Sequence, residues 1–142
     1  MISRILVAVD GSDGSRKAAG FAVELARSSN ARLLLLTVLE QPWVLPLGPM
    51  DSVVIGPKED QERVVAARKQ LDEFAAALPA EQVERHVEVG EPADVIVEQA
   101  EKLHADMIVM GARGHSAVAR WLLGSVSDRV VHHANTPVTV VR

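Results

Sequence analysis

The sequence predicts a single three-layer α/β/α domain built on a five-stranded, mainly parallel sheet. Three observations carry this. Apolar runs such as Ile5–Val9 and Leu33–Val38 are continuous rather than alternating, as expected of strands buried on both faces. Segments with helical periodicity separate them, so strand and helix alternate along the chain. The 142 residues suit one ordinary domain, 1–142, and leave no need for a second.

The first strand, Ile5–Val9, leads into the polar turn Asp10-Gly11-Ser12-Asp13-Gly14-Ser15. A helix follows with Ala18, Ala22, Leu25 and Ala26 on one face, closed by Ser28-Ser29-Asn30. Leu33–Val38 then completes a strand–helix–strand unit of the length a right-handed parallel crossover requires. Glu40 to Lys58 holds four prolines and two glycines and reads as a long loop. From Glu59 to Leu78, residues Val64, Ala67, Leu71, Phe74 and Leu78 recur at spacings of three and four, marking an amphipathic helix stopped by Pro79. Val83 to Val89 alternates apolar and polar residues and suits an edge strand. Gly90-Glu91-Pro92 opens a third helix packed through Val95, Ile96, Gln99, Ala100 and Leu103. Met107–Met110 is the fourth strand, Ser125–Ala134 the fourth helix and Val138–Val141 the fifth strand.

Composition narrows the function. With 48% hydrophobic and 24% charged residues the chain is neither disordered nor, lacking a long apolar run, membrane-spanning. Met1-Ile2-Ser3-Arg4 lacks the layout of a signal peptide and cysteine is absent, so a cytoplasmic location is expected. A net charge of -4, no dense basic cluster and few aromatics argue against nucleic-acid binding. His132 and His133 are adjacent on a helix and point about 100° apart, so they do not chelate one ion together.

The chemistry concentrates after the fourth strand, where Gly111-x2-Gly114-x9-Gly124-Ser125 delivers the chain to a helix start. Free N–H groups and the helix dipole favour an anion there, and glycines let backbone approach phosphate oxygens. Ser125 and Ser127 add hydroxyls that can donate to phosphate or face a magnesium ion. The plainer reading is that strand-to-helix turns often use glycine and that Ser125 is an N-cap. Asp10 falls at the carboxyl end of the first strand, in the crevice where open α/β sheets bind ligands. Its plainer role is to cap its own turn with Asp13 or Ser15 as partners. A Walker A loop is excluded because no lysine follows Lys102, and the first turn lacks the G-x-G-x-x-G of a dinucleotide fold. Asp106 precedes the fourth strand, which removes a receiver-domain constellation.

The opening Ile5-Leu6-Val7-Ala8-Val9-Asp10-Gly11-Ser12, the second strand ending Thr37-Val38, the glycine motif and the close Asn135-Thr136-Pro137-Val138-Thr139-Val140-Val141 together resemble the universal stress protein family over essentially the full length. The resemblance implies sheet order 3-2-1-4-5 and ATP, or ADP or AMP, with or without magnesium, across the ends of the first, second and fourth strands. It implies that Ala8, Val9 and Asp10 line the nucleoside, with Asp10 near ribose hydroxyls or metal, and that Val38 meets adenine through its backbone. Met110, Gly111, Arg113 and Gly114 then follow the ribose and α-phosphate, and Gly124, Ser125, Val126 and Ser127 hold the outer phosphates. It also implies a homodimer across the fifth strands, Val138 to Val141, which as a terminal apolar strand leaves an edge to pair. Trp43, Trp121, Leu122 and Leu123 are further apolar residues for a partner subunit, for a cover over the nucleotide, or for local packing. Arg113, Arg120, Asp10 and His115 are candidates for hydrolytic chemistry, but none has a spacing that demands it, so no catalytic or metal-ligating residue is assigned. The expected function is a nucleotide-binding regulatory module with at most slow hydrolysis, beside a true ATPase or phosphotransferase, or an interaction module in which nucleotide is structural.

Overall fold

The computed structural model describes residues 1–41, 57–112 and 123–142, and for residues 57–60 the backbone alone. Strand β1 (Arg4–Ala8) is followed by helix α1 (Asp13–Ser29), β2 (Arg32–Leu39), α2 (Pro57–Ala76), β3 (Val83–Val89), α3 (Pro92–Lys102), β4 (Met107–Gly111), α4 (Ser125–His133) and β5 (Val138–Val141). The sheet order is β3-β2-β1-β4-β5. Every pairing is parallel, so the sheet is wholly rather than mainly so. No helix among the described residues is long and apolar enough to cross a membrane.

The unbroken apolar runs are explained by burial on both faces. Ile5, Val7, Leu33, Leu35 and Val109 pack under α1 and α2, against Ala18, Ala22, Val23, Ala26, Leu71 and Ala75. Leu6, Leu34, Leu36, Ile108 and Met110 face the other way, toward Ala93, Ile96 and Ala100 of α3 and Val130 of α4. Leu33 to Leu36 are all at or below 1% exposed, and each contributes about 1.5–3 kcal/mol by leaving water. Alternation on β3 has the predicted cause, since β3 is an edge strand.

Element ends differ slightly from the sequence reading, for local reasons. Helix α2 starts at Pro57 rather than Glu59, because proline's fixed φ suits a first helical position. It ends at Ala76, and the chain tightens as the Leu78 N–H donates to the Ala75 carbonyl before Pro79. Asn30 closes α1 in the left-handed region, φ 55°, with its N–H donating to the Ala26 carbonyl.

Strand order places the topological switch point between β1 and β4. The helices that follow β1 and β2 cover one face, and those that follow β3 and β4 cover the other. The register shows the sheet opening there. β1 and β4 pair only as far as Val7–Val109. Beyond that point β1 stays with β2, through Ala8–Leu36 and the Val9 N–H donating to Leu36 at 2.8 Å. β4 stays with β5, through Gly111–Val141 and the Ala112 N–H donating to Val141 at 2.9 Å. Pairing across the switch point thus stops before the strands end, at the position where open α/β sheets have their ligand crevice.

Candidate functional site

One wall of the crevice is the exit from β1. The Val9 side chain is buried in the core under α1. Its N–H is bonded to Leu36, and its carbonyl accepts from the Thr37 hydroxyl at 3.0 Å. Val9 is therefore committed to the fold. Its neighbours are oriented differently. Leu36 turns its carbonyl toward β1 and Leu39 turns its own toward β3, where Gly90 donates to it. Strand alternation then points the peptide groups of Val38 back over the end of β1, and those of Ala8 toward β4. Both address the opening.

Asp10 follows at the mouth, exposed to solvent. Gly11, with φ +80°, makes the reversal an L side chain would resist. One oxygen of the Asp10 carboxylate accepts from both the N–H and the hydroxyl of Ser12. Ser12 is the N-cap of α1, and its hydroxyl oxygen accepts from the Ser15 N–H at 3.2 Å. The Ser15 hydroxyl donates back to the Ser12 carbonyl at 2.9 Å. The turn-capping role foreseen for Asp10 is present, and the bonds that make it run to Ser12. Within the first turn of α1, the Ser15 N–H is thus bonded to a side chain of the protein itself.

The opposite wall is the exit from β4. Met110 is buried against the α3 and α4 side of the core. Gly111 meets the start of α1: a Cβ built on it would lie 2.7 Å from the Gly14 carbonyl carbon and 2.9 Å from its oxygen. This glycine is required by helix-on-strand packing, and the alanine-lined face of α1 permits the close approach. The Ala112 carbonyl then accepts two bonds from across the intervening chain, from the Gly124 N–H at 2.7 Å and the Ser127 hydroxyl at 2.8 Å.

Helix α4 begins differently from α1. Its N-cap is Gly124, which makes no side-chain capping bond. The Asp128 N–H makes the bond to the Gly124 carbonyl that starts the helix, so the N–H groups of Ser125, Val126 and Ser127 precede it. Ser125 is exposed, Val126 is half-buried on the core, and Ser127 is buried with its hydroxyl turned inward. Arg129, one turn on, bridges Glu91 at 2.7 Å and Asp94 at 3.1 Å, tying α4 to the start of α3.

The structure therefore brings Ala8, Val9, Asp10, Val38, Met110, Gly111 and Gly124 to Ser127 to one end of the sheet. Arg113 and Gly114 lie outside the described residues, as do Trp43, His115, Arg120, Trp121 and Leu122. No group of three or more His, Cys, Asp or Glu side chains is placed to hold a metal ion among the described residues. Sequence reasoning missed Ser12 as a cap, Gly14 as the partner of Gly111, and Arg129. The Ser12-x2-Ser15 spacing before an apolar helix face could have revealed the first. The other two are contacts between elements distant in sequence.

Comparison with known proteins fits this geometry. The model of the Universal stress protein family matches residues 1–142. The chain belongs to that family. Among universal stress proteins, MJ0531 of Methanocaldococcus jannaschii is 36% identical, the match covering 100% of this chain and 83% of the relative. A universal stress protein solved in complex with cAMP superposes with a TM-score of 0.70 at 30% identity, covering 99% of this chain and 97% of the other. The universal stress protein from Archaeoglobus fulgidus in complex with dAMP superposes with a TM-score of 0.65 at 28% identity, covering all of both chains.

Proposed function

We propose that this universal stress protein binds an adenine nucleotide in the β1/β4 crevice, with its phosphates on the N-terminus of α4. The observation that carries this reading is the contrast between two helix starts. α1 carries a side-chain cap, Ser12, itself anchored to Asp10, whereas α4 has no side-chain cap among the described residues and begins with the successive N–H groups of Ser125, Val126 and Ser127 beside the exposed Ser125 side chain. Gly124 has φ -62° and ψ 158°, a conformation open to any residue. What glycine supplies there is an N-cap with no side chain to occupy the helix start. That two structural neighbours hold cAMP and dAMP supports adenine and a sugar phosphate as the shared ligand chemistry.

ATP is the nucleotide we infer, because three consecutive amides and a serine hydroxyl suit a chain of phosphates. Magnesium fits the donor set only as an ion held mainly by phosphate oxygens, with the exposed Asp10 carboxylate as the hard oxygen ligand in reach of solvent. Asp10 being anchored to Ser12 favours a positioning role over turnover, so the module is regulatory with at most slow hydrolysis. We further propose a cytoplasmic homodimer paired through β5, the strand at the end of the sheet order.

Nucleotide extraction from freshly purified protein, followed by chromatography, tests the central reading. Adenine nucleotide is expected in the extract, and ATP added at a hundred times its dissociation constant should stabilise the protein by about 2.7 kcal/mol. An empty extract together with a melting temperature unmoved by ATP, ADP and AMP refutes it.

A further inference from the structure

We propose that Ser127 is a positioning residue: its buried hydroxyl hangs the start of α4 from the end of β4, and so sets how well the α4 amides hold phosphate without touching phosphate itself. The proposal rests on the nucleotide reading above and assigns Ser127 a different role from the one the family resemblance implies.

Ser127 is 2% exposed, which already distinguishes it from the exposed Ser125 two residues earlier. Its hydroxyl carries one hydrogen. That hydrogen has two acceptors at hand, the Ala112 carbonyl at 2.8 Å and the Gly124 carbonyl at 3.0 Å. The second is the local bond any serine makes three residues into a helix. The first is shorter and crosses fifteen residues of sequence. With the hydrogen so placed, only lone pairs remain, and phosphate oxygens are acceptors that lone pairs repel.

The receiving carbonyl is itself fixed. Ala112 is 8% exposed, and its N–H donates to Val141, extending the β4–β5 pairing past Gly111. Its carbonyl takes the Gly124 N–H at 2.7 Å as well as the Ser127 hydroxyl. Two donors from the first turn of α4 thus converge on one acceptor at the rim of the sheet. One donor leaves the helix start free to pivot about a single bond. Two, placed at the N-cap and three residues on, fix its direction. The N–H groups of Ser125 and Val126 lie between these two anchors, so their aim at a phosphate follows from the clamp. Phosphate binding through backbone amides depends on such placement to within about half an ångström.

The experiment compares wild type, Ser127→Ala and Ser127→Thr by calorimetric titration with ATP and with adenosine, and by hydrogen exchange of the nucleotide-free proteins. Ser127→Ala is expected to weaken ATP roughly tenfold, the fold-change that loss of one hydrogen bond produces, while adenosine binds unchanged. Ser127→Thr, which keeps the hydroxyl, restores ATP affinity. In the nucleotide-free Ser127→Ala protein the Gly124 amide exchanges faster, which a residue acting only on bound phosphate does not cause. Unchanged ATP affinity, equal weakening of ATP and adenosine, or unchanged Gly124 protection overturns the proposal. Wild type that binds neither ligand overturns the nucleotide reading itself, a result seen before any variant is made. If Ser127→Ala fails to fold, Ser127→Cys replaces it with the same expectations.

Discussion

Replacing Gly111 by alanine places a methyl group 2.7, 2.9 and 3.1 Å from the carbonyl carbon, oxygen and Cα of Gly14. All three are backbone atoms, so no side-chain rotation relieves the contact. Restoring an ordinary carbon–carbon separation of about 3.5–4.0 Å requires β4 and the start of α1 to part by roughly 1 Å. Overpacking of this kind costs about 1–3 kcal/mol. Alanine also restricts the unfolded chain, which offsets about 0.4–1 kcal/mol. The net expectation is a loss of about 1–2 kcal/mol, or a fall in melting temperature of roughly 3–8 °C at this chain length. Urea unfolding followed by circular dichroism should show a lower midpoint at unchanged slope. Gly20→Ala is the matched control, because Gly20 lies inside α1 with nothing within 4 Å of its would-be Cβ. That change should stabilise by about 0.5–1 kcal/mol. A Gly111→Ala protein as stable as wild type, or two alanine variants shifted in the same direction, refutes the packing argument.

Three further outcomes are expected. Asp106 accepts from the Ser3 N–H, the Ser3 hydroxyl and the Arg4 N–H through one oxygen, and these bonds hold its carboxyl below the ordinary 3.8. A lowered folded-state value means that its stabilisation is present above pH 3.8 and is lost as pH falls through the folded value, so Asp106→Asn should flatten the acid limb of the stability curve. The site is exposed, and the effect at neutral pH should stay below about 1 kcal/mol. Ser12→Ala removes the α1 cap and one anchor of Asp10, and should lower stability by about 1 kcal/mol in urea unfolding. If β5 pairs two subunits, Val140→Lys should convert a dimer to a monomer in analytical ultracentrifugation; an unchanged sedimentation coefficient argues against that edge.

The alternation of strand and helix was legible because Ile5–Val9, Leu33–Val38 and Met107–Met110 carry burial on both faces in their composition. The order of the strands was not, since periodicity says how a strand is buried and not which strand lies beside it. That order followed from family resemblance, and the structure has it. At the site, a helix start after Gly124 could be read from spacing. The inward turn of Ser127 could not, because it depends on which side of α4 faces the Ala112 carbonyl. Gly111 illustrates the same limit. Its place in a glycine motif suggests a need to approach phosphate, whereas its demonstrable need is the approach of Gly14, far away in sequence and adjacent in space.

Donor and acceptor polarity gives the proposed ligand a direction. A carboxylate accepts hydrogen bonds, and backbone N–H groups donate them. Ribose hydroxyls can donate, and phosphate oxygens only accept. Asp10 stands at the β1 wall, held by Ser12, and the α4 amides stand at the β4 wall, held through Ala112. A nucleotide laid with its sugar at β1 and its phosphates at α4 satisfies both walls. The reverse orientation sets phosphate against carboxylate and leaves the amides facing a sugar. The capped start of α1 favours the same orientation, since the Ser12 hydroxyl takes the Ser15 N–H whereas the N-cap of α4 is a glycine with no side chain to do so. In the proposed reading, a helix start thus lies on either side of one crevice, and the difference between a serine and a glycine at the N-cap is what would direct the charge to α4.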